Sequence, residues 1–122
     1  MAFAEPQFEL SEEDLDDRTT VIAVAGEIHV STASRFSVLL ENAIGSGKTA
    51  FVLDLSAVEF IDSTGLSVLL NGLRRVHRQR GRMALVCTNP TVLRLFEITR
   101  LDATFDIHPT RAEALSAARA EG

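Results

Sequence analysis

The residues of this chain best suited to chemistry are Asp62, Ser63, Thr64 and Gly65. They follow the apolar run that ends at Phe60 and Ile61, and they precede Leu66, Leu69, Leu70, Leu73 and Val76 at helical spacing. Ser63 therefore falls at a helix start, where backbone N–H groups lack intrahelical partners and the macrodipole is positive. Such a position suits a capping hydroxyl, and it also suits a phosphate. On local chemistry alone, a hydroxyl at a helix start is a cap far more often than a phosphosite. The same residues do not make an aspartic-protease loop. That motif carries one hydroxyl residue between Asp and Gly, and its dyad needs a second carboxylate to share a proton. This chain has two hydroxyls there and no second copy of the motif.

Other candidates reduce to structure. Gly45-Ser46-Gly47-Lys48-Thr49 has the tail of a phosphate-binding loop, but Asn42 stands where the pattern requires its first glycine. The order is also reversed, since this stretch follows a helix and enters a strand. It reads as a glycine helix stop. His29, His77 and His108 are scattered without metal-ligand spacing. His77 lies about four helical turns beyond Ser63, too far to serve as its base within one element. Cys87 sits in an apolar strand with no basic neighbour to activate it, so it reads as core. The run from Arg74 to Arg82 reads as a solvated helix face and a partner for the helix C-terminus, with an acidic partner as the alternative.

The bulk properties narrow the class. A length of 122 residues suits one domain that buries a core without metals or disulfides. The net charge of −5 argues against general nucleic-acid binding. No apolar run reaches the length of a membrane span, and the first residues lack the basic and apolar regions of a signal peptide. With one cysteine and no internal disulfide, the expected location is the cytoplasm. No cofactor or metal is expected.

The elements that must position Ser63 follow from periodicity. Residues 8–12 alternate as a first strand, residues 13–18 form an acidic turn, and residues 20–25 form a β-branched second strand ended by Gly26. Ser31 or Thr32 opens a helix with Phe36, Leu39, Leu40, Ala43 and Ile44 on one face. Residues 51–55 read as a buried strand, followed by a loop containing Val58 and Phe60 and then the Leu66 to Val76 helix. Residues 83–87 are a further buried strand. Thr88 or Asn89 then caps a helix with Pro90 at its first position and Val92, Leu93 and Phe96 inward. Residues 103–107 are a last strand, and Thr110 caps an Ala-rich helix with Ala114, Leu115 and Ala118 inward. The order β-β-α-β-α-β-α-β-α predicts an α/β domain over residues 8–118. Its sheet is mixed but largely parallel, with about five strands and about four helices. Residues 1–7 and 119–122 are expected as flexible termini.

The stretch Val52-Leu53-Asp54-Leu55-Ser56-Ala57-Val58-Glu59-Phe60-Ile61-Asp62-Ser63-Thr64-Gly65-Leu66 resembles the STAS domain of bacterial anti-sigma-factor antagonists. Gly26-Glu27-Ile28, Asn89-Pro90 and the order of elements fit the same family. The resemblance implies that Ser63 is phosphorylated by an anti-sigma factor with serine kinase activity, Thr64 being the second choice, and restored by a serine phosphatase. It implies a partner-binding surface at Gly26, His29, Asp62, Ser63, Thr64, Gly65 and Leu66, with Gly65 admitting a partner close to the hydroxyl. The unphosphorylated protein would bind the anti-sigma factor and release its sigma factor. Such a protein is a regulator, not an enzyme, with no nucleic acid or membrane among its partners. The alternative is a non-switching STAS scaffold in a larger signalling or transporter complex. Two positions depart from the family pattern: His29 where an aspartate is usual, and Arg100 where a glycine is common.

Overall fold

The computed structural model describes residues 8–120. The termini at 1–7 and 121–122 lie outside the described residues. The elements are β1 (Phe8–Asp14), β2 (Thr19–Ile28), α1 (Ala33–Gly45), β3 (Ala50–Ile61), α2 (Ser63–Arg78), β4 (Arg82–Val86), α3 (Pro90–Ile98), a 3-10 turn (Leu101–Ala103), β5 (Asp106–His108) and α4 (Arg111–Arg119). The last helix thus includes Arg119, one residue past the expected end of the domain. The strands lie in sequence order, β1-β2-β3-β4-β5. β1 pairs antiparallel with β2, and the remaining pairs are parallel.

The β1–β2 hairpin closes because the Asp16 carboxylate accepts from the backbone N–H of Arg18 at 2.9 Å and of Thr19 at 2.8 Å. This is an Asx-type turn. Parallel strands then require crossover helices. α1, α2 and α3 contribute Phe36, Leu40, Leu66, Leu69, Val92 and Phe96 to one core, built on Ile22, Phe51, Leu53 and Leu85. The alternate strand residues Val21, Val52, Ala84 and Val86 face the other way and meet Ala114 and Ala118 of α4.

β1 runs on to Asp14, two residues into the expected turn, and β4 lies one residue earlier than expected, at Arg82–Val86. Three other boundaries differ more. Gly26 does not end β2. It stands at φ +100° inside the strand, where the register with β3 shifts. β3 does not stop at Leu55 but continues to Ile61, and residues 56–61 are strand, not loop. The alternation that marks a strand is broken there. From the pair Ala23–Asp54 to Ala25–Ala57, and again from Gly26–Val58 to Glu27–Phe60, β3 advances one residue more than β2. Two such bulges turn Glu59 and Phe60 both outward. The last strand lies at residues 106–108, because residues 101–103 wind into a 3-10 turn that buries Phe105 edge-to-face on Phe96, 5.6 Å between ring centres.

Candidate functional site

The candidate site forms where the C-terminal ends of β2 and β3 meet the first turn of α2. The bulge at Gly26 carries Ile28 beside the motif, and the Asp62 N–H donates to the Ile28 carbonyl at 3.1 Å. Asp62 then caps α2, its carboxylate accepting from the Gly65 N–H at 3.0 Å. The cap is therefore Asp62, and Ser63 is released from that task. Ser63 is the first helical residue and is exposed, as is Thr64. Among the described residues no hydrogen bond engages the Ser63 hydroxyl; its carbonyl accepts from the Ser67 hydroxyl at 3.0 Å.

Gly65 and Leu66 do not lie on the surface that the resemblance implied for them. Gly65 is buried, and a Cβ there would stand 2.7 Å from the side chains of both Ile28 and Ile61. Its bare backbone lets the helix start press onto the strand ends rather than admitting a partner. Leu66 is 6% exposed and belongs to the core with Leu69, Leu73 and Val76. Gly65 and Leu66 both serve to seat the first turn of α2 on the sheet. Gly26 is likewise a half-buried strand position, at φ +100° where the register with β3 shifts.

His29 begins the loop into α1. Its Nδ1 accepts from the Ser31 N–H at 3.2 Å and lies 2.8 Å from the Ser31 hydroxyl. An accepting Nδ1 places the proton of the neutral ring on Nε2, which lies 3.9 Å from the Glu27 carboxylate. The end of β2 thus sets a carboxylate, Glu27, beside the loop even though His29 replaces the usual aspartate. Thr32 occupies the N-cap position of α1 without capping through its side chain. Its hydroxyl donates to the Glu27 carbonyl at 2.7 Å, holding the loop shut.

Sequence reasoning missed two surface residues. Val30 is 75% exposed and Phe60 44% exposed. One follows the β2 end bonded to Asp62, and the other precedes the motif by two residues. Phe60 is legible as apolar, but periodicity puts it in a loop, since the bulges that expose it are a property of strand pairing. Of the two candidate caps of α3, Thr88 and Asn89, the cap is Asn89, accepting from the Thr91 N–H at 2.9 Å. Its amide also donates to the Val58 carbonyl at 3.2 Å, tying α3 to β3 below Phe60. The remaining candidates stay apart from this site. Cys87 is buried, which pushes its thiol pKa up. His77 is exposed on α2, and His108 pairs with Asp106 at 2.8 Å.

Comparison with known proteins bears on this geometry. The family described as the STAS domain matches residues 12–114. An anti-sigma-F factor antagonist of Mycobacterium tuberculosis, RsfB, is 31% identical over 99 residues, covering 81% of this chain and 80% of that protein. An anti-sigma-B factor antagonist of Listeria monocytogenes is 34% identical over 107 residues, covering 86% and 90%. The crystal structure of an anti-sigma factor antagonist from Mycobacterium paratuberculosis superposes with a TM-score of 0.85 at 33% identity, covering 93% of this chain and 96% of that one. No helix among the described residues is long and apolar enough to cross a membrane.

Proposed function

The chain belongs to the STAS-domain family of anti-sigma-factor antagonists, and from that premise we propose that it is a partner switch thrown by phosphorylation of Ser63. In this reading the unphosphorylated protein binds a cytoplasmic anti-sigma factor that is also a serine kinase, and so frees a sigma factor. The phosphorylated protein does not bind, and a serine phosphatase resets it. The protein acts by binding rather than catalysis.

The observation that carries this reading is the division of labour between Asp62 and Ser63. Because Asp62 holds the cap, modification of the Ser63 hydroxyl breaks no hydrogen bond of the fold among the described residues. A phosphate there adds about −1.5 to −2 charges at the N-terminus of a 16-residue helix, where the dipole favours it. The domain therefore tolerates both states. The interface does not. Val30 and Phe60 are exposed and lie two residues beyond Ile28 and two residues before Asp62, and a partner packed on such apolar groups must strip water from the phosphate beside Asp62. Each ~1.4 kcal/mol of that cost weakens binding about tenfold. Thr64 is exposed too and is the second acceptor.

The test is incubation with the cognate anti-sigma kinase and ATP, read by intact mass. One added phosphoryl group, lost in Ser63→Ala, is expected. Ser63→Asp should abolish binding to the kinase while Ser63→Ala retains it. Equal binding by both variants would sink the switch. Absence of phosphorylation with binding intact would instead favour the non-switching scaffold, for which His29 in place of a carboxylate is the supporting observation.

A further inference from the structure

At the opposite end of the sheet, the starts of β2, β3 and β4 and the end of α4 enclose an open groove of about 690 Å³. Four guanidinium side chains line it, Arg18, Arg80, Arg82 and Arg119, against the carboxylates of Asp16 and Asp17. β3 separates this groove from Ser63 by roughly 35 Å of extended chain. In a chain of net charge −5, such a concentration of positive charge is local and directional.

The four arginines come from three separate segments: the β1–β2 turn, the connection from α2 into β4, and the end of α4. Arg80 and Arg82 end the basic run of α2, and the turn that brings them here holds Arg80 at φ +61°. Arg119 is fixed by Asp16 at 3.1 Å and by the Thr19 hydroxyl at 3.3 Å. Among the described residues Arg18, Arg80 and Arg82 have no carboxylate within ion-pair distance. We propose that this groove is a second docking site, which takes an acidic peptide segment of a partner protein independently of the Ser63 face.

Guanidinium forks match carboxylate and phosphate alike, so the backbone decides between them. Phosphate sites recruit clustered backbone N–H groups. Here those groups are spent. The N–H groups of Thr49 and Ala50 both donate to the Arg18 carbonyl at 2.9 Å, and that of Arg82 to the Thr49 carbonyl at 2.7 Å. The N–H groups of Arg18 and Thr19 serve Asp16, and that of Arg80 donates to the His77 carbonyl at 3.0 Å. Recognition falls to side chains spread along an open trough. That arrangement fits carboxylates spaced along an extended peptide better than a compact phosphate.

The test is fluorescence anisotropy of a short labelled Asp/Glu-rich peptide with the full chain. Saturable binding that weakens with added salt is expected. Arg18→Glu with Arg82→Glu should weaken it at least about tenfold. Arg74→Glu with Arg78→Glu changes net charge equally on the exposed face of α2 and should leave it unchanged, as should Ser63→Asp. Arg18→Gln with Arg82→Gln, checked by thermal melting, keeps the result readable should the charge reversal unfold the domain. No saturable binding, equal loss from both arginine pairs, or binding of tripolyphosphate without binding of the peptide would overturn the proposal.

Discussion

Helices α2 and α4 are built alike at their first turns and attached differently to the sheet. Each begins with a side-chain cap, Asp62 on the Gly65 N–H and Thr110 on the Glu113 N–H. α2 then buries Leu66, Leu69, Leu73 and Val76 in the large core, whereas α4 buries only Ala114 and Ala118 on the opposite face. α4 compensates with an ion pair, Arg111 to Asp54 at 2.7 Å, and with Arg119 at the hairpin turn. The proposed switch rests on the better-anchored of the two: Ser63 sits on the helix held by bulky apolar side chains.

Breaking the apolar anchor should have the largest effect. Leu69→Ala, at a position fully shielded from solvent, is expected to cost about 2–5 kcal/mol in denaturant melts, and Leu73→Ala a similar amount. A negligible loss would mean that α2 is no better anchored than α4. Next comes Gly65→Ala. Its methyl meets two isoleucine side chains at 2.7 Å, so the helix start must move, at about 1–3 kcal/mol. Binding to the anti-sigma factor should weaken along with stability, since Ser63 moves too; a stable variant with unchanged binding would separate packing from display. The caps are smaller and should be nearly equal. Asp62→Ala and Thr110→Ala are each expected to cost about 1 kcal/mol. A much larger loss for Asp62 would mean that its carboxylate also holds the helix start against the strand ends, since the substitution leaves the backbone bond to the Ile28 carbonyl in place.

The smallest effect concerns pH and should distinguish the two attachments. Burial alone would raise the Asp54 pKa, but hydrogen bonds from the Ser56 hydroxyl and N–H and from Arg111 outweigh it, and the carboxyl sits below its ordinary value. A group depressed in the folded state contributes stability that is present above its unfolded pKa and lost as pH falls through the folded one. Acid should therefore loosen α4 before α2. Asp54→Asn is expected to flatten the acid limb of the stability profile, with the protection factors of α4 amides, corrected for intrinsic exchange, losing their dependence on pH there. A profile unchanged by the substitution would show that the ion pair contributes nothing to holding α4.

Much of the fold was legible because it rests on local patterns. The 3.6-residue spacing of Leu66, Leu69, Leu73 and Val76 and the Pro90 start of α3 are read without knowledge of neighbours. The outer half of β3 was not legible, since Ser56 and Glu59 break alternation and only pairing with β2 makes the segment a strand. Arg100 illustrates the same limit. Its departure from a common glycine was visible, but only the turn shows that the backbone there stands at φ +61°, where glycine is the easier residue.

What the sequence determined by itself was the existence of the Asp62-Ser63-Thr64-Gly65 motif at a strand-to-helix boundary, since residue type and periodicity are enough to place a helix start. What only the tertiary structure decided was the task of each residue in it. A hydrogen bond chooses between two adjacent side chains by geometry, and the approach of α2 to Ile28 and Ile61 gave the cap to Asp62, put Gly65 inside and left the Ser63 hydroxyl outward. The basic run of α2 was divided in the same way. Where the chain turns, not which residues it contains, left Arg74 and Arg78 on the helix and sent Arg80 and Arg82 into a groove with Arg18 and Arg119.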